Sequence, residues 1–311
     1  MRTLSITLLV SAAITATAFA QSGPSPFTVA ESGQGFPTLS AAIGAIGDRK
    51  GTVIVAPGTY HECAVQQGGD LTIRAATPGT AIFDGVPCEG KAALVLRGRT
   101  STVDGIVFQN LRVPDGNGAG IRLESGSLTV ANSLFRNSEE GILTGDGPGS
   151  VTIDRSTFRK LGRCDRDLDC AHGVYIGRMA SLTVTRSRFD QGMGGHYLKT
   201  RTARVAITDN SFDDSAGHVT NYMIDLSNGA TGTITGNEMV QGRDKDNYSA
   251  FITVAPEGRE HGSAGLVIDG NSASFVPGLS RSSTFVANFT DDAVRIGSNR
   301  LAGGIKVQDR R

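Results

Sequence analysis

Leu182-Thr-Val-Thr-Arg-Ser-Arg-Phe189 is followed 23 residues later by Val205-Ala-Ile-Thr-Asp-Asn-Ser-Phe212. In each block apolar residues alternate with polar ones, a polar pair interrupts, and a phenylalanine closes the run. Strict alternation marks a half-buried strand, and Asn, Asp and Ser together mark a turn. The block returns as Val103–Phe108, Leu128–Phe135, Val151–Phe158, Thr233–Met239, Val267–Ala273 and Val294–Leu301, with last residues 23 to 34 positions apart. A period of about 20 to 50 residues signals a solenoid, a propeller or an array.

The content of one period selects among these. A further short strand follows each block, as in Gly141-Ile-Leu, Val174-Tyr-Ile, Tyr197-Leu-Lys, Ile224-Asp-Leu and Ile252-Thr-Val. No amphipathic helix intervenes, which excludes the leucine-rich, ankyrin and tetratricopeptide classes. A propeller blade needs about 40 residues and four strands. Two or three short strands per period fit one coil of an all-β, single-stranded, right-handed parallel β-helix. Such a solenoid needs its open ends covered. Leu39, Ala42, Ile43 and Ile46 have helical spacing, with Thr38 as N-cap and Gly47 beyond the end, so a capping helix is expected at about 38–47. Gln308-Asp-Arg-Arg reads only as a short charged tail.

Arg2, the apolar run Leu4 to Ala18 and the small-x-small junction Ala18-Phe-Ala20 read as a signal peptide over residues 1–20. The expected mature chain, residues 21–311, is then one β-helix domain, periplasmic or secreted, monomeric, without a membrane span. The whole chain's formal net charge of zero, which loss of Arg2 changes by only one, argues against a nucleic-acid partner. Four cysteines fit an oxidising compartment. Cys63 and Cys88 lie about one coil apart, and Cys164 and Cys170 could close a short loop, so these are the preferred pairs among three connectivities.

Phe27-Thr-Val-Ala-Glu-Ser-Gly-Gln-Gly-Phe-Pro-Thr-Leu-Ser-Ala-Ala-Ile, followed by Gly51-Thr-Val-Ile-Val-Ala-Pro-Gly-Thr-Tyr-His-Glu, resembles the opening of pectin methylesterases and related pectin-lyase-like β-helices. The resemblance implies the fold. The paired aspartates and arginine of the esterase site have no counterpart. The stretch from His172-Gly-Val-Tyr-Ile-Gly-Arg through Gly195-His-Tyr-Leu-Lys-Thr-Arg to Tyr222-Met-Ile-Asp-Leu-Ser-Asn-Gly resembles a group of exported bacterial β-helix proteins without an assigned activity. Asn117-Gly-Ala-Gly, Glu139-Glu140-Gly, Ala171-His172-Gly173 and Tyr197-Leu198-Lys199 follow the order of polygalacturonase-type motifs. Ala119 stands where that pattern has an aspartate, and both acids of the pair are glutamates.

Alternation also selects a candidate site. With Val174, Ile176, Leu198, Ile224 and Leu226 inward, Tyr175, Lys199 and Asp225 form an outward column on coils about 4.8 Å apart. Tyr197 and Arg201 are expected on that side, with His172, Arg178, His196 and Tyr222 near the strand edges. A polysaccharide lyase acting on a uronic-acid glycan must neutralise a carboxylate, remove the C5 proton and protonate the leaving oxygen. Arg201 or Arg178 suits the first task, Lys199 or a histidine the second, and Tyr175 the third. Tyr197 and Tyr222 are candidate substrate contacts. A hydrolase needs two carboxylates about 5 to 10 Å apart, and Asp225 has no evident partner on the column. The bland alternative is a solvated ladder with a surface Lys199–Asp225 ion pair, in a β-helix that binds glycans or shapes the envelope without catalysis. Asp165, Asp167 and Asp169 offer oxygen ligands for calcium, although a solvated, disulfide-closed loop is the favoured reading. No other cofactor is expected.

Overall fold

The computed structural model describes residues 25–311; the leader expected over residues 1–20 lies outside them. Among the described residues three sheets run along the chain, one of twelve strands and two of ten, and every strand-to-strand pairing after the N-terminal hairpin region is parallel, with only isolated antiparallel bridges at Cys88–Ala92 and Arg163–Ala171. Each coil visits them in turn. Ser181–Thr185 lies in the first sheet, Arg188–Asp190 in the second and Leu198–Thr200 in the third, before Arg204–Thr208 returns to the first. The chain is a right-handed parallel β-solenoid.

The repeated sequence block therefore spans two strands hinged at its polar pair. The first residue of the pair takes a left-handed backbone, with φ of 49° at Asn132 and 57° at Asp209. Gly105 and Gly236 fill the same position on other coils, where glycine adopts this conformation without strain. The second residue builds a polar ladder. The backbone N–H of Ser187 donates to Asn210 Oδ1 at 2.9 Å, that of Asn210 to Asn237 Oδ1 at 3.0 Å, and that of Asn237 to Asn271 Oδ1 at 2.9 Å. Buried turn donators are thus satisfied by the next coil.

The closing phenylalanines form a second ladder. Phe83, Phe108, Phe135, Phe158, Phe189 and Phe212 stack with centroids 4.7 to 5.9 Å apart inside the solenoid. At the N-terminal end the helix Leu39–Ile46 covers the first coil with Leu39, Ala42, Ile43 and Ile46. Thr38 accepts a hydrogen bond from Ala41 N at 3.2 Å, and Gly47 ends the helix at φ 61°. The C-terminal segment corrects the sequence reading. Ile305–Arg310 is a strand of the third sheet, paired with Ser283–Asn288, because its backbone completes an otherwise open edge. Both disulfides form as preferred, Cys63–Cys88 between neighbouring coils and Cys164–Cys170 across a short loop. No helix among the described residues is long and apolar enough to cross a membrane.

Candidate functional site

The outer face of the third sheet carries the expected column. Arg122, Leu143, Tyr175, Lys199, Asp225 and Thr253 are successive register partners. The column is not the solvated ladder of the bland reading. Lys199 is 6% exposed and Asp225 1%, because the connection after Ala250–Val254 folds back over them. Asp225 accepts from Thr253 Oγ1 and Ser227 Oγ, both at 2.7 Å, and lies 3.5 Å from Lys199 Nζ. Lys199 pairs on its other side with Glu257.

A second line of side chains runs alongside. His172, His196 and Tyr222 stack at 4.9 and 5.4 Å. His172 Nδ1 accepts from His196 N at 3.0 Å, and His196 Nδ1 accepts from Tyr222 N at 3.2 Å. Each ring must then carry its proton on Nε2. Burial drives both imidazoles toward the neutral form, His172 well below the ordinary range and His196 to about 4. With their Nδ1 lone pairs engaged by backbone, His172 lines the site, His196 braces it from behind, and neither is a free proton acceptor.

Tyr197 departs from its expected place. It is buried in the solenoid core beside Leu198, and its hydroxyl donates to Asp214 at 2.7 Å while accepting from Gly192 N at 3.1 Å. Alternation breaks here because the chain bends as it enters the strand, turning two consecutive side chains inward. On preceding coils the neighbouring positions are Gly141 and Gly173, and a Cβ on Gly173 would lie 2.6 Å from Tyr197 O. The same bend turns His172 and Glu140 outward.

These elements enclose a cavity of about 630 Å³ lined by Arg122, Glu140, His172, Tyr175, Lys199, Arg201, Glu257 and their neighbours. Asn117, Asp169 and Cys170 form one wall. Asp225, His196, Tyr197 and Tyr222 do not line it and stand behind or beside it. Arg163 organises the disulfide loop by donating to Gly116 O at 3.3 Å and Asp169 O at 3.0 Å. The calcium candidates are not gathered by that loop: Asp165 pairs with Arg163. Among the described residues no three His, Cys, Asp or Glu side chains are grouped to hold a metal.

Arg201 joins the functional groups. Its Nε donates to Tyr175 Oη at 2.7 Å, its Nη1 to Asn228 Oδ1 at 2.6 Å, and its Nη2 pairs with the Glu257 carboxylate that Lys199 also holds. Those two cations depress the Glu257 carboxyl despite its partial burial. Glu140 is the opposite case. It is 1% exposed, its Oε1 accepts only from His172 N at 3.3 Å, and its Oε2 has no protein partner. Desolvation pushes its pKa to about 8. Arg122 Nε is likewise buried without a partner in the same wall.

Sequence reasoning did not reach Glu257, Asn228 or Arg122, and it met Glu140 only as part of the polygalacturonase-type motif order. One signal was available. The longest intervals between repeat blocks, Phe158 to Phe189 and Met239 to Ala273, hold the disulfide loop and the connection that bears Glu257.

Residues 92–289 match the family described as a right handed beta helix region. Among solved structures, the chain is similar to a PL6 family alginate lyase at TM-score 0.49 and 17% identity, over 81% of this chain and 36% of that one. It therefore spans about a third of that lyase's length. It is also similar to a pectin methylesterase from Aspergillus niger, at TM-score 0.48 and 14% identity, over 83% of this chain and 88% of that one. No curated protein sequence matches it.

Proposed function

We propose, for a chain that belongs to the right-handed β-helix family, that the groove on its third sheet binds a uronic-acid polysaccharide and cleaves it by β-elimination. One observation carries this reading: a single guanidinium, that of Arg201, joins a bound carboxylate to a phenol oxygen. A uronate carboxylate seated between Lys199 and Arg201, where Glu257 now sits, brings its C5 hydrogen toward Tyr175. Tyr175 Oη, the oxygen toward which Arg201 donates, takes that proton as the base. The C5–H electrons form the C4–C5 double bond, the C4–O4 bond breaks, and Glu140 gives its proton to the departing oxygen.

These roles differ from the sequence expectation for a physical reason. Tyr175 Oη already accepts from Arg201, so its oxygen is arranged as an acceptor and the donor task passes to Glu140. Lys199 stands between two carboxylates and serves to neutralise charge. A carboxyl held protonated by a dry site is suited to donate at neutral pH. The disulfides fit an oxidising, extracytoplasmic setting in which such a substrate is met.

The test is turnover of alginate, pectate and glucuronate-containing polymers, following both new reducing ends and the ultraviolet absorbance of a carboxylate-conjugated double bond. Glu140→Gln and Tyr175→Phe should each lower kcat by about a hundredfold or more, and Lys199→Ala should abolish turnover. Reducing ends without the absorbance would replace elimination by hydrolysis. That second reading is favoured by the opposed shifts of Glu140 and Glu257, the pattern of an acid and an ionised partner. No turnover on the whole panel, with binding indifferent to Lys199→Ala, would leave a non-catalytic protein.

A further inference from the structure

The connection that covers the column is a strap with a fixed backbone and two outstretched carboxylates. Glu257 N donates to Ser227 O at 3.0 Å and His261 N to Asn228 O at 2.9 Å. His261 Nε2 lies 3.1 Å from Arg201 O, and Arg259 Nε donates to Phe289 O at 2.8 Å. The main chain is thus tied to the neighbouring coil at Ser227 and Asn228, and the side chains of Arg259 and His261 add two further anchors. The side chains of Glu257 and Glu260 remain more than a third exposed and can turn into solvent without moving it.

Each carboxylate occupies a built cationic seat. Glu257 lies between Lys199 and Arg201. Glu260 is held by the fork of Arg178, with Nε at 2.7 Å and Nη2 at 2.6 Å, and by Asn228 Nδ2 at 3.1 Å. Asn228 is 2% exposed and accepts from Arg201 at 2.6 Å, so the two seats belong to one hydrogen-bonded chain. Arg178 and Arg201 follow register-paired strands on adjacent coils, whose backbones lie about 4.8 Å apart. Planar forks of this kind recognise carboxylates, and nothing in their geometry restricts them to a protein side chain.

We infer that Arg178 and Asn228 form a second uronate subsite next to the Lys199–Arg201 seat, and that Glu260 and Glu257 are internal stand-ins which two contiguous uronates displace together. This rests on the uronate reading of the groove and adds its register. A single uronate displaces one glutamate and leaves the other seat closed. A contiguous pair replaces both carboxylates in one binding event, so the strap selects polymeric segments over isolated acids. The displaced glutamates are each more than a third exposed and pass into water, while the cations they leave keep a carboxylate partner in the uronates.

The experiment measures calorimetric affinity of the full chain for a tetrauronate and for the matching single uronate, and takes their ratio. Glu260→Gln should tighten tetrauronate binding by about threefold to fivefold and raise the ratio. Arg178→Ala should lower the ratio by at least as much. Circular dichroism on each variant confirms that the solenoid persists. An unchanged ratio in both variants, with wild type binding the tetrauronate, would overturn the second subsite while leaving the first intact. Weaker tetrauronate binding by Glu260→Gln would show that Glu260 supports the ligand and would overturn the stand-in role. No binding of any uronate by the folded wild type would remove the uronate reading and this inference together.

Discussion

Single titrating residues in the site set opposite pH trends, and the sign follows from which state binds more protons. Glu140 has a folded pKa of about 8 against an ordinary value near 4.5, so the folded state keeps a proton that the unfolded chain releases. Its contribution to stability falls as pH rises through that interval. His172 and His196 are depressed, His196 to about 4 from 6.5, so there the unfolded chain binds more protons and stability rises with pH up to about 6.5. Of these three groups, the two histidines outweigh the glutamate below about pH 6.5, and only the glutamate acts above it. The thermal midpoint should therefore peak near pH 6.5 in a series from about pH 5 to 8.5. Glu140→Gln should flatten the alkaline side and leave the acid side in place. An alkaline limb unchanged in Glu140→Gln would contradict the assignment. Glu140, His172, Tyr175 and Lys199 were all visible in the sequence as chemistry-bearing residues. The protonation of Glu140 and His172 was not, because it depends on desolvation, which the folded coils impose and the sequence does not print.

At the level of elements the solenoid depends on two internal ladders, one aromatic and one polar. The aromatic ladder was legible as the recurrent closing Phe, since a large apolar residue at constant phase must stack on its copies. The polar ladder was half legible. Asp209-Asn210 reads as a turn, but only the structure shows Asn210 facing inward to serve backbone groups of the neighbouring coil. Asn237 is a fully engaged rung: it accepts from Asn210 N and Nδ2 and donates to Ile207 O, Thr235 O and Asn271 Oδ1. Asn237→Ala should destabilise by about 3 kcal/mol, since buried backbone groups lose partners without access to water. Phe158→Ala, which opens a cavity between Phe135 and Phe189, should cost about 3 to 5 kcal/mol. Denaturant midpoints test both, and an Asn237→Ala loss below about 1 kcal/mol would show that water replaces the rung. Tyr197 marks where reading by element failed. A period-two rule holds within a strand but not across the bend that leads into it.

For the whole molecule, a solenoid is a stack with two ends, and the ends decide whether it stays single. Inner coils satisfy one another, so each terminal coil must be finished by something that is not another coil. The N-terminal end is closed by the helix Leu39–Ile46 and by Phe27–Val29, which pairs antiparallel with Lys50–Val55 and so does not extend the parallel stack. The C-terminal end uses charge instead. Ile305–Arg310 pairs with Ser283–Asn288, every residue of which is buried, and it turns Lys306 and Asp309 with its outer backbone edge toward solvent. Charged edge strands resist further pairing because an added strand would have to desolvate them. Deleting residues 303–311 removes this finish and leaves the otherwise buried strand Ser283–Asn288 as the new edge. The truncated chain should keep its β content by circular dichroism yet associate as concentration rises, seen as growing mass in light scattering beside a constant full-length control. If it scatters like the full chain at every concentration, the loops around Asn288 shield the edge by themselves, and the strand's charges do not govern association.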